Sequence, residues 1–437
     1  MTKLKVGVVS LARKTFDYQE ARKQYAVIRE KLSEIEDVDF IFAEDLLFEV
    51  EDAVKAAESF VKQDPDGLIC ISGTFHLGHL VLEMVKRIEK PVLLWGLKEP
   101  PYDGGKIRLN SVCGVNLDAS NLYKAGFRDY HACFGNKIDR DWLTAVKAQS
   151  ALKKARFGLV GSRAHGFFNL AVDELNFYRQ TGVLIDYYQL QEIFERPVDA
   201  EAVTLRLNRL RHVFSVNNIS MEQLDKVAEL TAKVDGFMEE HDLNGLALRC
   251  WPEFAAGYGI APCAALSLLQ AEGRIIACEG DIEGLLSMYV HRVMGAKTPF
   301  LGDLSQVDFT NDEVLLWHCG VAPCNLWDRK CEISLDSYHA GGKGVTADFV
   351  LREGAVSVMR IDSVGRDIRV FLAKGKTLPM PKNLRGTYGR VKFDCGVNEL
   401  MQMIINNGIA HHVSMVYGDY SRPLEILAKL KNWQVIK

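Results

Sequence analysis

Three apolar runs near the amino terminus constrain this chain more than any other feature: residues 5–10 (KVGVVS), 67–72 (GLICIS) and 91–95 (PVLLW). None alternates polar with apolar as a half-solvated strand does, so each needs cover on both faces. Between them, residues 21–35, 54–62 and 80–89 carry apolar positions at the 3.6-residue spacing of a one-faced helix. A further short run, 38–43, reads as a strand. Alternating strands and helices of this kind build a parallel sheet between two helical layers.

A charged helical stretch, roughly 139–154, separates this block from a second start at 156–162 (RFGLVGS). There the alternation resumes, with strand-like runs at 213–216, 245–250 and 275–278 and helical patterns at 221–241, 261–271 and 281–294. From about 295 the texture changes. Short strand-like runs at 345–352, 355–361, 368–373, 389–393 and 413–417 are separated by glycine-rich turns such as 341–344. That pattern reads as an antiparallel, barrel-like domain closed by a helix around 424–430. The expected class is α/β, with two Rossmann-like doubly wound parallel-sheet domains over 1–150 and 151–294. A β-rich domain over 295–437 follows them.

At 437 residues the chain is long enough for two or three cores. With 53 basic against 57 acidic residues, its net charge of −4 gives no reason to expect nucleic acid or an anionic membrane as partner. No apolar stretch approaches the 18 residues of a spanning helix. The run at 6–11 is a first strand rather than a signal peptide. Ten cysteines without a CxxC pair read as buried reduced thiols of a cytoplasmic protein, not as a zinc finger.

Two loops follow strands and precede helices. The first, Gly73-Thr-Phe-His-Leu-Gly78-His79, has neither the Lys-Ser/Thr of a P-loop nor a dinucleotide glycine spacing. Phe75 and His76 are therefore read as pocket-lining residues beyond a strand's carboxyl end. In the second, Ser162-Arg163-Ala164-His165, the guanidinium of Arg163 either grips hydroxyl or phosphate oxygens or pairs at the surface with a neighbouring carboxylate.

The chemistry concentrates later. Glu279 ends the run Ile-Ile-Ala-Cys and lies two residues too early to cap the following helix, a task that suits Asp281. A buried glutamate without a cap to make needs a cation or another partner. Asp303 ends the stretch Thr-Pro-Phe-Leu-Gly, and His318 and the pair His411-His412 also border apolar runs. Carboxylates with one or two imidazoles suit a divalent cation. On an extended chain the two adjacent histidines point opposite ways, so one of them at most is expected at the metal.

In order and spacing, residues 278–303 (CEGDIEGLLSMYVHRVMGAKTPFLGD), 315–320 (LLWHCG) and 408–419 (GIAHHVSMVYGD) resemble the L-fucose isomerase and L-arabinose isomerase superfamily. The aspartate at 303 brings the resemblance closer to the fucose branch. It implies Glu279, Asp303 and His412 as metal ligands, with His318 matching a ligand of the arabinose branch. It also implies Mn²⁺ or another divalent cation, and a homo-oligomer, trimer or hexamer, whose active site is completed by the 1–150 region of a neighbouring subunit.

The implied activity is aldose–ketose isomerisation of a pentose, 6-deoxyhexose or modified hexose through an enediolate. Glu279 and Asp303 would form the acid/base pair, one at the C2 proton and the other at oxygen. Arg163, His411, Trp317 and His76 are candidate substrate-binding residues. Two rivals stand beside this reading: a non-catalytic sugar-binding protein, and a metal-dependent lyase or hydrolase acting on a sugar derivative.

Overall fold

The first apolar runs form four strands of a five-stranded parallel sheet, β1 (Leu4–Leu11), β2 (Val38–Phe42), β3 (Gly67–Ser72) and β4 (Val92–Gly96), and the fifth, β5 (Tyr130–Phe134), is a partly exposed edge strand that the apolar pattern does not show. The sheet order is β2-β1-β3-β4-β5. The computed structural model describes residues 3–339 and 342–437, so Ala340 and Gly341 of the expected glycine-rich turn lie outside the described residues. The first helix beside this sheet starts at a capping residue. Asp17 accepts from Glu20 N–H ahead of the helix Tyr18–Ser33, and its buried face carries Ala21, Tyr25, Ile28 and Leu32. The stretch read as a charged link is the helix Arg140–Leu152. One compact unit comprises Met1–Ser150 with Pro423–Trp433, which takes in most of the last helix, Ser421–Leu430.

The second unit, Ala151–Arg422 with Gln434–Lys437, holds two sheets. The smaller is parallel: β6 (Arg156–Val160), β7 (Leu184–Tyr188), β8 (Gly245–Leu248) and β9 (Ile276–Cys278), in the order β7-β6-β8-β9. Residues 213–216, expected to be a strand, are not one. The helix Ala200–Val213 runs into them because Val203, Leu207, Leu210 and Phe214 continue a helical stripe. The edge strand β7 takes the place in the sheet instead, and its half-exposed side chains hid it from the apolar pattern.

The larger sheet contains β10 (Phe300–Asp308), β11 (Glu313–His318), β12 (Ser334–His339), β13 (Gly344–Val350), β14 (Gly354–Val364), β15 (Asp367–Leu378), β16 (Thr387–Phe393), β17 (His412–Tyr417) and β18 (Gln434–Ile436). Its order is β12-β13-β16-β11-β10-β17-β14-β15-β18, with a further β15–β16 pairing. The domain expected to be antiparallel and barrel-like is thus a large mixed sheet. β13–β16 and β15–β18 are parallel pairs, each joining strands linked by a long connection rather than a hairpin. One apolar cluster runs from Val160 and Leu248 of the small sheet to Phe300, Val413 and Met415 of the large one, so the two share a core. Among the described residues, no helix is long and apolar enough to cross a membrane.

Candidate active site

Because β6, β8 and β9 run parallel, the residues following them leave the sheet at one edge, where open α/β sheets bind ligands. Glu279 is the first residue after β9 and takes a left-handed backbone, φ 64°. That conformation costs an L-residue about 1–2 kcal/mol and persists only where its surroundings enforce it. Here they do. Ala164 N–H donates to Glu279 O at 2.8 Å, and a Cβ on Gly280 would lie 2.3 Å from Ser162 O. The loops after β6 and β9 are pressed together, and Trp251 Nε1–H donates to Glu279 Oε1 at 3.2 Å.

The large sheet supplies the facing groups through its register. Asp303 of β10 is paired with Trp317 of β11 on one side and with His412 of β17 on the other. Directly opposed residues share a face, so these three side chains are neighbours by construction. His412 Nε2 lies 3.3 Å from Asp303 Oδ1 and 3.4 Å from Glu279 Oε2. His411 Nε2 stands 3.9 Å from the same glutamate oxygen. The two histidine rings are 4.1 Å apart and do not point opposite ways as expected, because β17 begins at His412 and His411 lies outside the pleat.

His412 is held from behind. Its Nδ1 is 2.9 Å from Asp281 Oδ2. A carboxylate only accepts, so the ring proton sits on Nδ1 and Nε2 is left to face Glu279 and Asp303. Asp281 also accepts from Gly284 N–H as the helix cap and binds both terminal nitrogens of the fully buried Arg360, at 2.5 and 3.0 Å. The cap is legible in the sequence and this second task is not. Its one signal was Arg360, a cation inside the apolar run 356–361.

Burial raises the Glu279 carboxyl, but His411 and His412 outweigh it and hold it well below the usual carboxylate range. Burial likewise disfavours charge on His412, yet Asp281 and Glu279 push its pKa up to about 10. Carboxylates and imidazoles facing one point are the donors a divalent cation takes. The donor set fits one. Atoms of Glu279, His318 and His412 lie within 4.8 Å of one another, as do those of Asp303, His411 and His412. Glu279 Oε2 is buried and has no hydrogen bond among the described residues.

His318 Nε2 is also buried without a hydrogen bond among the described residues, but its other nitrogen accepts from Cys319 N–H at 2.9 Å. A neutral ring so held carries its proton on Nε2, which suits donation to a ligand oxygen better than metal ligation. The remaining predicted residues are dispersed. Trp317 lines the same cavity as Glu279 and Asp303, of about 770 Å³, while its Nε1–H is taken by Arg385 O. Arg163 is half-buried, donates to Ala164 O and lies over the ring of Phe168. His76 is fully buried with both nitrogens engaged, by Thr74 O and by Asp118 at 2.9 Å. In this chain its ring presents no surface to a ligand. Trp251 and Asp281 stand against the site although nothing local in the sequence marks them as part of it.

Residues 7–134 match the family model described as the N-terminal domain of fucose/sulfoquinovose isomerase, and residues 324–437 match the L-fucose isomerase C-terminal domain. The chain belongs to the L-fucose isomerase family. It is an enzyme, an aldose–ketose isomerase. Sulfoquinovose isomerase of Priestia megaterium is 27% identical over 439 residues, 97% of each chain. The sulfoquinovose isomerases of Alkalicoccus urumqiensis and Clostridium sp. (strain MSTE9) are each 27% identical, over 86% and 84% of this chain and 87% and 85% of their own. Glu279, Asp303 and His318 fall between the two segments matched by the family models, whereas His411 and His412 fall inside the second.

Proposed function

We propose that this family member is a divalent-cation-dependent isomerase of a C6-modified hexose, with Glu279, Asp303 and His412 as the metal ligands. The observation that carries the reading is the placement of both carboxylates within 3.4 Å of one imidazole nitrogen beside a sugar-sized cavity. Mn²⁺ suits two carboxylates and an imidazole, and a cation held there supplies Lewis acidity to the sugar's carbonyl and adjacent hydroxyl. Glu279 and Asp303 come from different sheets and flank His412, as suits a pair that divides the proton moves. One takes the proton from C2 and returns it to C1 while the other handles the hydroxyl proton. Asp281 orients His412, and His318 Nε2–H donates to a substrate oxygen. Arg163 and His411 form the rim, with Trp317 on the wall.

The names of the three relatives point to sulfoquinovose, a hexose with a sulfonate at C6, as the substrate to test first. Family membership favours isomerisation over the lyase or hydrolase reading and over passive sugar binding. We further propose a cytoplasmic homo-oligomer, trimer or hexamer, in which the 1–150 region of one subunit completes the site of another. The test is product analysis by NMR after incubation of the purified chain with sulfoquinovose and Mn²⁺. Appearance of the matching ketose supports the reading. Elimination or hydrolysis products, or an unchanged aldose in the presence of Mn²⁺, overturn it.

A further inference from the structure

The cavity that holds Glu279 and Asp303 is lined otherwise by Trp251, Pro252, Ala255, Ala256, Ala261 and Trp317, by three cysteines, by His318 and by Lys343. For a molecule as oxygen-rich as a sugar this wall is poor in donors. The indole N–H of Trp251 is taken by Glu279 and that of Trp317 by Arg385 O. Thiols donate weakly. Among the described residues, Lys343 is the only lysine or arginine lining the cavity, and it has no ion pair.

The backbone of Lys343 is fixed to the wall it serves. Ala261 N–H donates to Lys343 O at 3.1 Å, Ala261 and Gly344 form a parallel bridge, and Gln223 Nε2 donates to Gly342 O at 3.1 Å. Lys343 itself is exposed, and among the described residues its ammonium, with three donors, has no hydrogen bond or ion pair. We propose that Lys343 is the specificity-determining residue that binds an anionic substituent of the sugar, a sulfonate, through charge-assisted hydrogen bonds. The inference rests on the reading above that the substrate is a sulfonated hexose. It assigns the discrimination to one side chain outside the metal-ligating cluster.

The test is steady-state kinetics of wild type, Lys343→Gln and Lys343→Arg with Mn²⁺, on sulfoquinovose and on quinovose, which has a methyl group in place of the sulfonate-bearing carbon. For Lys343→Gln, KM for sulfoquinovose should rise about ten- to a hundredfold, the scale of a lost charge-assisted bond. Its kcat should stay within about twofold, and quinovose kinetics should be unchanged. Lys343→Arg should keep most of the affinity. A sulfoquinovose KM within twofold of wild type in Lys343→Gln overturns the assignment and leaves the proposed reaction standing. Equal losses on both sugars also overturn it, since that is a structural effect. If wild type isomerises quinovose but not sulfoquinovose, the substrate reading fails instead, and this inference with it.

Discussion

Asp281 Oδ2 lies 2.9 Å from His412 Nδ1, so a single buried carboxylate joins the cap of the helix Ile282–Val293 to the imidazole at the centre of the candidate site. The same carboxylate neutralises Arg360, which is fully buried. Helix, strand β14 and strand β17 therefore meet at one residue.

Asp281→Asn keeps a competent cap but removes the charge that orients and polarises His412. Mn²⁺ affinity, measured by chelator competition, should fall about ten- to a hundredfold. Asp281→Ala removes the partner of a buried guanidinium as well and should cost about 3–5 kcal/mol in urea unfolding. Undiminished metal affinity in a folded Asp281→Asn would remove Asp281 from the site.

That dual use marks the limit of what the sequence made legible. The apolar runs were enough for β1, β3, β4, β6, β8 and β9, because doubly buried strands must be apolar throughout. Glu279 and Asp303 stood out because a carboxylate ending an apolar run has no ordinary task there. The tertiary half was not legible. Nothing local says that Asp303 pairs in register with His412, that Glu279 takes φ 64°, or that a helix cap also holds an imidazole. The edge strands β5 and β7 are not legible because an edge strand need not be apolar, and 213–216 reads as a strand because Val213, Phe214 and Val216 are apolar even where a helix ends.

Glu283 offers a pH test away from the proposed ligands. Burial pushes its carboxyl up to about 7, against the pull of Arg360 and Ser363. A carboxyl whose folded pKa is raised contributes stability that is fully present below about 4.5 and is lost as pH rises through about 7. Glu283→Gln should abolish that loss. The variant-minus-wild-type difference in unfolding free energy should grow in the variant's favour by up to ~3 kcal/mol between pH 4.5 and 7.5. A difference that is flat with pH would place the Glu283 pKa at its ordinary value.

His76 and Asp118 form a buried pair in the first unit, with side chains 0% and 2% exposed. His76→Ala leaves the Asp118 carboxyl without its partner and should destabilise the chain by about 3–5 kcal/mol. If His76 instead contacts substrate, its replacement raises KM while the melting temperature stays within about a degree or two. Thermal unfolding and kinetics on the same variant separate the two outcomes.

Removing the basic oxygen while keeping shape tests the proton-transfer pair. Glu279→Gln and Asp303→Asn, each loaded with Mn²⁺ to occupancy, should each lose at least about a hundredfold in kcat. The Glu279→Gln loss should persist at every pH between 6 and 9, because the carboxyl it replaces is held far below that range. Near-normal turnover in either metal-loaded variant excludes that residue from the proton transfer.

Anomalous diffraction at the manganese edge shows directly whether one metal is shared by the two sheets. Crystals grown with Mn²⁺ should give a single strong peak within about 2.0–2.6 Å of one oxygen of Glu279, one oxygen of Asp303 and His412 Nε2. A peak bound elsewhere, or no peak at this position in crystals of protein that is active with Mn²⁺, contradicts the account.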